Sequence, residues 1–423
     1  MTALSGLCVV ELCGERGAFA GKLFADMGAD VVKLEPPGGD PTRNYPPFLE
    51  DRPGPTRSLY FWTYNTNKRS ITLDLDREEG RDVCRRLLER ADLLIEDRDP
   101  GTMASLGLEY ADVASLNPGI IYVSITPFGR FGPRANEKST DLTIIAGGGI
   151  AWMNGYDDHS LPPVRGGGGQ GYHTGCHFAF MSALVALLHR DKTGAGQHID
   201  VNMSAAANVT TEAGSYTWLV NGGTVQRQTG RHAAIVPTIE TQVVCADGRY
   251  VNTGLPPRRP GHFGIMYRWL EDLGLIEDFP MAPFLEAGML RTEPISLAKI
   301  VEDPEVQAIF QAGREAVNLI ASKLDAYTFF ETAQNRGLQV GIIYSPEEVI
   351  EDPHFKARDF PVEVEHPELG RSFTYPGAPY RFTKSPWEIR RRAPLLGEDR
   401  RDILTEIGLN ADQIDRLERD GVV

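Results

Sequence analysis

The strongest constraint on the fold comes from two short valine-rich runs near the N-terminus. A segment long enough for one helix separates them. The runs LCVVEL (residues 7–12) and DVVKLE (residues 30–35) are rich in apolar residues, as is typical of strands buried in a sheet. Between them, Phe19, Phe24 and Met27 recur at helical spacing. A strand, a helix and a strand in this order predict an α/β fold with a parallel sheet covered by helices.

The same alternation of strand-like and helix-like segments continues to about residue 130. The pattern changes near Gly222, where CADGRY predicts an antiparallel hairpin with an Asp-Gly turn and helix-like segments follow. After about residue 330, α/β character returns. We therefore expect an α/β domain from residues 1–224 and 331–423, and a separate small α+β domain at residues 225–330.

Two long segments lie outside this alternation. Residues 36–58 are dense in proline and glycine, which predicts a long loop. Residues 176–189, CHFAFMSALVALLH, are apolar on nearly every side of a helix. Such a helix is expected to be buried on all its faces.

Charge and composition exclude several classes of function. The net charge of −15 repels phosphate backbones, so we expect no nucleic-acid partner. No apolar run reaches the roughly 18 residues that a membrane span needs, and the first residues lack the pattern of a signal peptide. The five cysteines are scattered without a CxxC motif, which indicates reduced thiols in the cytoplasm and no zinc site.

The stretch RGGGGQGYHTG, residues 165–175, is the most unusual local feature of the chain. The backbone N–H groups of consecutive glycines can bind a phosphate or an oxyanion. The same composition also suits a mobile surface loop. The residues alone leave both interpretations open.

A nicotinamide site is a weak alternative. Gly14, Gly17 and Gly21 follow the first predicted strand, and Glu35 ends the second, where a ribose-binding acid would lie. The glycine spacing is G-x-x-G-x-x-x-G instead of the G-x-G-x-x-G that a pyrophosphate turn needs. A simple strand-to-helix packing turn is the better interpretation.

Two features near the glycine run also have an ordinary structural explanation. His173 and His177 lie four residues apart with Cys176 between them, a spacing that can hold a metal on a helix. No third ligand cluster accompanies them, so packed or capped histidines and no metal are expected. Asp141 precedes a helix-like segment, and a carboxylate in that position is usually an N-cap.

Several stretches together resemble one protein family. They are LSGLCVVEL, ADMGADVVKLEPPGGDPTR, NTNKRSITLDL, ADLLIEDRDPG, LVALLHRDKTGAGQHIDV, EDPHFKARDF and APLLGEDRRDIL. In this combination the chain resembles the class III CoA-transferases, which include formyl-CoA transferase and the CaiB/BaiF proteins. The resemblance covers essentially the whole sequence.

The resemblance implies a fold and a chemistry. It implies a Rossmann-like large domain made from both chain ends, an inserted small domain, and two subunits interlocked like rings. It also implies that CoA passes from an acyl-CoA to a carboxylic acid without a bound cofactor. An enzyme aspartate attacks the thioester in this chemistry, forming a mixed anhydride and then an aspartyl-CoA thioester. Nearby N–H donors would stabilise the oxyanions.

This chain departs from the family at the nucleophile. The family aspartate precedes the apolar helix, and the matching position here is Gly171 or Tyr172, with Gln170 as the other neighbour. None of the three is a carboxylate, and a tyrosine phenol with a pKa near 10 is a poor substitute. Asp141 matches a family position that follows a histidine in the racemase branch, but Thr140 replaces that histidine here.

The positions that match the family's CoA contacts are also altered. Leu73 and Lys138 match such contacts. Pro36 and Asp76 stand where the family has an arginine and a lysine. Asp97 and Arg98 replace an Asn-Phe pair, and Ser105 replaces an arginine. A loss of cations and a gain of two aspartates disfavours a ligand that carries several phosphate charges.

The sequence thus predicts a CoA-transferase subunit without its own nucleophile, paired with a homologous subunit that retains the aspartate. Within the family, (R)-benzylsuccinate CoA-transferase is similar in having two homologous subunits, which makes succinyl-CoA the expected donor and benzylsuccinate a possible acceptor. Two alternatives remain. One is an active homodimer that uses Asp141, Asp157 or Asp158, and the other is a binding protein that has kept the fold without activity.

Overall fold

The computed structural model describes residues 2–253 and 257–423. The chain divides into two compact units. The first unit contains Met1–Trp152, Val164–Leu219 and Ile350–Val423, and the second contains Met153–Pro163 and Val220–Val349. Both chain ends therefore belong to the first unit.

The strands, in chain order, have the following bounds: β1 Cys8–Leu12, β2 Asp30–Glu35, β3 Arg69–Thr72, β4 Leu93–Glu96, β5 Ile121–Thr126, β6 Gln197–Asn202, β7 Gln226–Gln228, β8 Arg231–Ala234, β9 Gln242–Val244, β10 Tyr250–Asn252, β11 Gly341–Ile342, β12 Pro361–His366 and β13 Arg371–Pro376.

The helices have the following bounds: α1 Ala18–Asp26, α2 Leu59–Tyr64, α3 Glu78–Leu88, α4 Thr102–Ser105, α5 Tyr110–Leu116, α6 Asp141–Gly147, α7 Ile150–Met153, α8 Gln170–Thr193, α9 Met203–Val209, α10 Ala213–Asn221, α11 Pro260–Asp272, α12 Ala282–Met289, α13 Leu297–Glu302, α14 Pro304–Ala321, α15 Ala326–Asn335, α16 Pro346–Glu351, α17 Pro353–Ala357, α18 Arg400–Glu406 and α19 Ala411–Arg419. Across the part of the chain that the structure describes, these helices include none long and apolar enough to cross a membrane.

A six-stranded parallel sheet organises the first unit, which confirms the predicted α/β fold. Its strand order is β3-β2-β1-β4-β5-β6. Val9 of β1 pairs with Val31 of β2 on one side and with Leu93 of β4 on the other. The order in which strands are added to the sheet therefore reverses between β1 and β4. Ligands of open α/β sheets bind at this switch point, beyond the carboxyl ends of the strands.

Successive residues of the strands face opposite sides of the sheet, and each side has its own core. One core joins Val10 and Leu12 of β1 to helices α3, α5, α18 and α19. The other joins Val9 of β1 to helices α1 and α8. The C-terminal helices complete the first of these cores, because Ile403 and Leu417 are buried in it.

The second unit has a three-stranded sheet in the order β11-β10-β9 and a helical core. Its β9 and β10 form the predicted antiparallel hairpin around the Asp-Gly turn. The segment at residues 225–330 lies within this unit. The unit continues past residue 331 to Val349, because β11 pairs with β10.

Helix α8 differs from the prediction that all its faces are buried. Its sheet-facing side is lined by small residues such as Cys176, Ala179 and Ala183, which are fully buried. The side chains on the opposite side are between 36% and 66% exposed, and they are Phe178, Met181, Val185 and Leu188. Exposed apolar stripes of this kind are typical of interaction surfaces.

A network of buried charges joins β1, β2 and the proline-rich loop near the carboxyl ends of the strands. The Lys33 ammonium lies 3.2 Å from Glu11 Oε1 and 2.8 Å from Asp40 Oδ2. The Lys68 ammonium lies 2.7 Å from the other Glu11 oxygen. Burial alone would raise the pKa of Asp40, but Lys33 and hydrogen bonds from Thr42 lower it to about 2.

Asp40→Asn should therefore destabilise the fold in a pH-dependent way. A carboxyl group whose pKa is lower in the folded state stabilises the fold above its unfolded pKa, and this stabilisation is lost as the pH falls. We expect a loss of about 2 kcal/mol at pH 7 that shrinks between about pH 4 and pH 2, measured by urea unfolding across pH. The exposed Asp76→Asn is the control. A loss that is constant with pH would contradict the role of the charge.

Candidate active site

The glycine-rich stretch ends in the first turn of α8, and a carboxylate from another helix caps that turn. The N-cap residue Gly169 has no side chain for this purpose. Asp141 Oδ1 instead accepts hydrogen bonds from the N–H groups of Gly171 at 2.8 Å and Tyr172 at 3.1 Å. These are the two N–H groups that an N-cap side chain would satisfy. The sequence prediction for Asp141 was therefore wrong about which helix it caps, since Thr140 caps its own helix α6.

Asp141 is poorly placed to act as a nucleophile. Its side chain is buried, and one oxygen is occupied by the two N–H groups of α8. The other oxygen lies 3.2 Å from Arg165 Nη1. A carboxylate with these partners is held in place, and its attack on a thioester would leave two buried N–H groups unsatisfied.

The two alternative positions for the missing aspartate differ in their surroundings. A β-carbon at Gly171 would lie 3.0 Å from Ile144 Cγ2 and 3.1 Å from Asp141 Oδ1. A carboxylate there would face the protein interior and another carboxylate. Tyr172, in contrast, lines a pocket. Position 172 is thus the one from which a side chain reaches an accessible cavity.

The pocket beside the start of α8 has a volume of about 330 Å³. Five of its lining side chains are rings: Phe19, Tyr60, Tyr64, Tyr172 and His173. The charged residues on it are Glu15, Asp141 and Arg165, and Gly168 and Gly169 complete the lining. We call this cavity the ring-lined pocket.

The titratable rings of this pocket are neutral near pH 7. Burial and the nearby charge of Glu15 raise the pKa of Tyr172 to about 12. Burial and the neighbouring His177 lower the pKa of His173. The Tyr64 hydroxyl lies 2.8 Å from His173 Nε2, which fixes the orientation of that ring. These rings therefore offer neutral hydroxyl and imidazole groups, beside the carboxylates of Glu15 and Asp141.

The loop after β1 does not form the nicotinamide site considered above. Asp97 Oδ2 accepts hydrogen bonds from the N–H groups of Gly14 and Gly17, each at 2.9 Å. The chain's own carboxylate thus occupies the position where this loop would bind a phosphate. A β-carbon at Gly21 would overlap Glu11 Oε2, so this glycine allows close packing. The carboxylate of Glu35, the proposed ribose-binding acid, is bound by Arg43 and Ser70.

The histidines and cysteine at the start of α8 do not converge. His173 contacts Tyr64, and the Cys176 thiol is buried and donates to the Arg16 carbonyl at 3.1 Å. Among residues 2–253 and 257–423, no group of three or more histidine, cysteine, aspartate or glutamate side chains could hold a metal ion.

The two residues that match CoA contacts of the family differ in exposure. The Leu73 side chain is buried in the core on one face of the sheet. Lys138 is 86% exposed, and its ammonium lies 2.7 Å from Asp99, which also binds Arg16 at 3.0 Å. Lys138 is thus near the loops that follow β1 and β4, whereas Leu73 could contact a ligand only through its backbone.

The remaining carboxylate candidates have structural partners in the second unit. Asp157 makes a bidentate ion pair with Arg231, with distances of 2.7 and 3.0 Å. Asp158 accepts hydrogen bonds from the backbone and hydroxyl of Ser160. Asp157 thus joins its loop to the β7–β8 hairpin, and Asp158 stabilises a local turn.

Sequence reasoning missed most of the pocket wall. Tyr60 and Tyr64 belong to α2, directly after the proline-rich loop, and Phe19 belongs to α1. The available signal was the spacing of Tyr60 and Tyr64, which places both rings on one face of a helix. Their proximity to Tyr172 arises only from the packing of α1, α2 and α8.

Comparison with known proteins gives the class of the chain. The sequence profile of CoA-transferase family III matches residues 4–400. Succinyl-CoA:(R)-benzylsuccinate CoA-transferase subunit BbsE of Thauera aromatica is 32% identical over 98% of this chain and 97% of its own length. Succinyl-CoA:mesaconate CoA-transferase of Haloarcula hispanica is 31% identical over 97% of each chain.

A solved structure agrees with these matches. The crystal structure of a CaiB/BaiF family protein from Brucella suis superimposes with a TM-score of 0.77 at 28% identity, covering 96% of this chain and 99% of that one. The fold and the matches are those of CoA-transferases, whose substrates are CoA thioesters. Within that class, this chain belongs to CoA-transferase family III.

Gly171→Asp should destabilise the protein by more than about 2 kcal/mol, because it buries a second carboxylate beside Asp141. Gly169→Ala is the matched control, since a β-carbon there has only ordinary contacts at 3.7 Å or more. Urea unfolding measures both. If Gly171→Asp were as stable as the control, position 171 could accommodate a nucleophile and the distinction between positions 171 and 172 would fail.

Proposed function

We propose that this chain is the subunit without a nucleophile in a two-subunit class III CoA-transferase. The enzyme would move CoA from succinyl-CoA to a carboxylic acid, and (R)-benzylsuccinate is the acceptor that we favour. One observation carries the proposal: at the start of α8, position 171 is glycine, position 172 is tyrosine, and the nearby carboxylate of Asp141 already caps the helix.

The chemistry assigns the covalent step to the partner. In the family's reaction, a carboxylate oxygen attacks the thioester carbonyl, and the CoA thiolate leaves as a mixed anhydride forms. The thiolate then attacks the aspartyl carbonyl, releases the donor acid and leaves an aspartyl-CoA thioester. The acceptor carboxylate and the returning thiolate complete the exchange. A phenol with a pKa of about 12 is almost fully protonated at pH 7, so Tyr172 is a poor replacement in these steps.

The names of the relatives support the donor and the subunit role. Two of the proteins described above are named as transferases of succinyl-CoA, and one of these is named as a subunit. A further relative, from Agrobacterium fabrum, is a succinate–glutarate CoA-transferase at 32% identity. Succinate or succinyl-CoA is thus common to several acceptor specificities.

The exposed stripe of α8 supports a partner subunit. Phe178, Met181, Val185 and Leu188 form one apolar row along the helix. A homologous subunit with its own apolar α8 would cover this row by burying apolar surface on both sides. The stripe lies on the sheet face opposite the C-terminal helices α18 and α19.

The proposal is tested by expressing this chain alone and with a homologous subunit that has aspartate at the position matching 171 or 172. CoA transfer from succinyl-CoA to (R)-benzylsuccinate should occur only in the mixture. Replacing the partner's aspartate by asparagine should abolish it. Activity of the isolated chain would refute the proposal, and absence of transfer in the mixture would favour a binding protein.

Asp141→Ala separates the homodimer alternative from the proposal. We expect this variant to lose about 1–3 kcal/mol of stability, because two N–H groups and Arg165 lose their partner. Once assembled with the partner, it should retain kcat within about a factor of three. A loss of activity in a folded, assembled enzyme would instead identify Asp141 as the nucleophile. Calorimetric melting and steady-state kinetics give the two readouts.

Val185→Glu should weaken assembly with the partner, because it places a charge within the apolar stripe. Leu116→Glu is the matched control, since Leu116 is 41% exposed on α5, whose core lies on the other face of the sheet. Size-exclusion chromatography with light scattering should show separated subunits only for Val185→Glu. Equal assembly of both variants would contradict the use of this surface.

A further inference from the structure

The ring-lined pocket contains a polar group that the fold does not use. Tyr172 is only 6% exposed, and its ring lines the pocket. Its N–H donates to Asp141, but within the described parts of the chain its hydroxyl makes no hydrogen bond. The hydroxyl oxygen is not sealed from solvent: it faces the pocket, where water or a ligand can reach it. The Tyr172 hydroxyl is therefore available to a ligand that offers an acceptor atom.

The walls of the pocket favour an aromatic ligand. Phe19 and His173 have ring centroids 4.6 Å apart, and Tyr60 and Tyr64 have centroids 4.7 Å apart. These rings form a continuous aromatic surface, and a further ring can add to it by offset or edge contacts. A volume of about 330 Å³ is at the lower end of ligand pockets and suits one ring with a short chain.

The charges on the pocket limit the ligand to one acid group inside it. Arg165 is half exposed and uses Nη1 on Asp141, so further guanidinium N–H groups remain for an anion. Glu15 lies on the same pocket and repels a second negative charge. A ligand with several phosphates is disfavoured for the same reason.

We propose that the ring-lined pocket binds an aryl-substituted carboxylic acid without reacting with it. This inference rests on the proposed CoA-transfer function, which makes a carboxylic acid the expected ligand. The aromatic ring lies among Phe19, Tyr60 and Tyr64. One oxygen of the ligand accepts a hydrogen bond from the Tyr172 hydroxyl, and Arg165 supplies the opposite charge. The chain without a nucleophile thus has a specificity pocket for the acceptor acid.

Isothermal titration of the purified full chain with 3-phenylpropionate tests this pocket. Tyr172→Phe keeps the ring and removes only the hydroxyl, so its affinity should fall about five- to tenfold. Tyr156→Phe, at an exposed tyrosine outside the pocket, should bind as the wild type does. Equal affinity of the wild type and Tyr172→Phe, at equal melting temperature, would overturn the role of the hydroxyl.

Two further probes separate the ring from the acid. Propionate lacks the ring and should show no measurable binding, and 3-phenylpropanol lacks the charge and should bind about tenfold more weakly. Binding of propionate with the affinity of 3-phenylpropionate would refute the aromatic specificity. Equal binding of 3-phenylpropanol would refute the role of Arg165.

The binding experiment is independent of CoA transfer. If the mixture with the partner transfers CoA but the isolated chain does not bind 3-phenylpropionate, the pocket inference is wrong and the proposed function stands. If the isolated chain itself transfers CoA, the proposed function is wrong whatever the titration shows.

Discussion

The ion network around Lys33 is the constraint on which the first unit depends. Its ammonium is fully buried between Glu11 and Asp40, and Glu11 also receives Lys68. Such charges are tolerable in a protein interior only when each has its partners, so the strands and the proline-rich loop must assemble together. The network lies near the carboxyl ends of β1 and β2, next to the switch point of the sheet. It fixes α1 and the loop before α2, and thereby the rings that line the pocket.

The candidate site depends on a second carboxylate, that of Asp141. By capping α8 from the neighbouring helix α6, it joins the two helices and places Tyr172 towards the cavity. The N–H groups of Gly171 and Tyr172, at the end of the glycine run, are thus paired within the chain. The tyrosine and histidine rings that line this cavity are neutral near pH 7.

Much of the first unit could be predicted from the sequence, because its strands are local apolar runs. The limits of β2 were predicted to the residue, and those of β1 to within one residue. The candidate site was predicted less well. The motif match narrowed the position that corresponds to the family's aspartate to Gly171 or Tyr172. The choice between these two positions depends on what each side chain faces. Tyr60, Tyr64, Phe19 and Arg165 come from separate segments, and a single sequence gives no signal that they meet. The exposed face of α8 was also missed, because an apolar composition does not tell core from interface.

The sequence by itself determined the α/β class and the family, and the resemblance predicted that Gly171 or Tyr172 stands where relatives have an aspartate, since these depend on residue identity and local periodicity. Only the tertiary structure decided that Asp141 caps α8, that Asp97 closes the loop after β1, and that the Tyr172 ring lines a pocket. These facts depend on distances between groups that are from 30 to more than 100 residues apart in the chain. Such distances follow from the packing of the whole sheet and its helices, which no local pattern specifies.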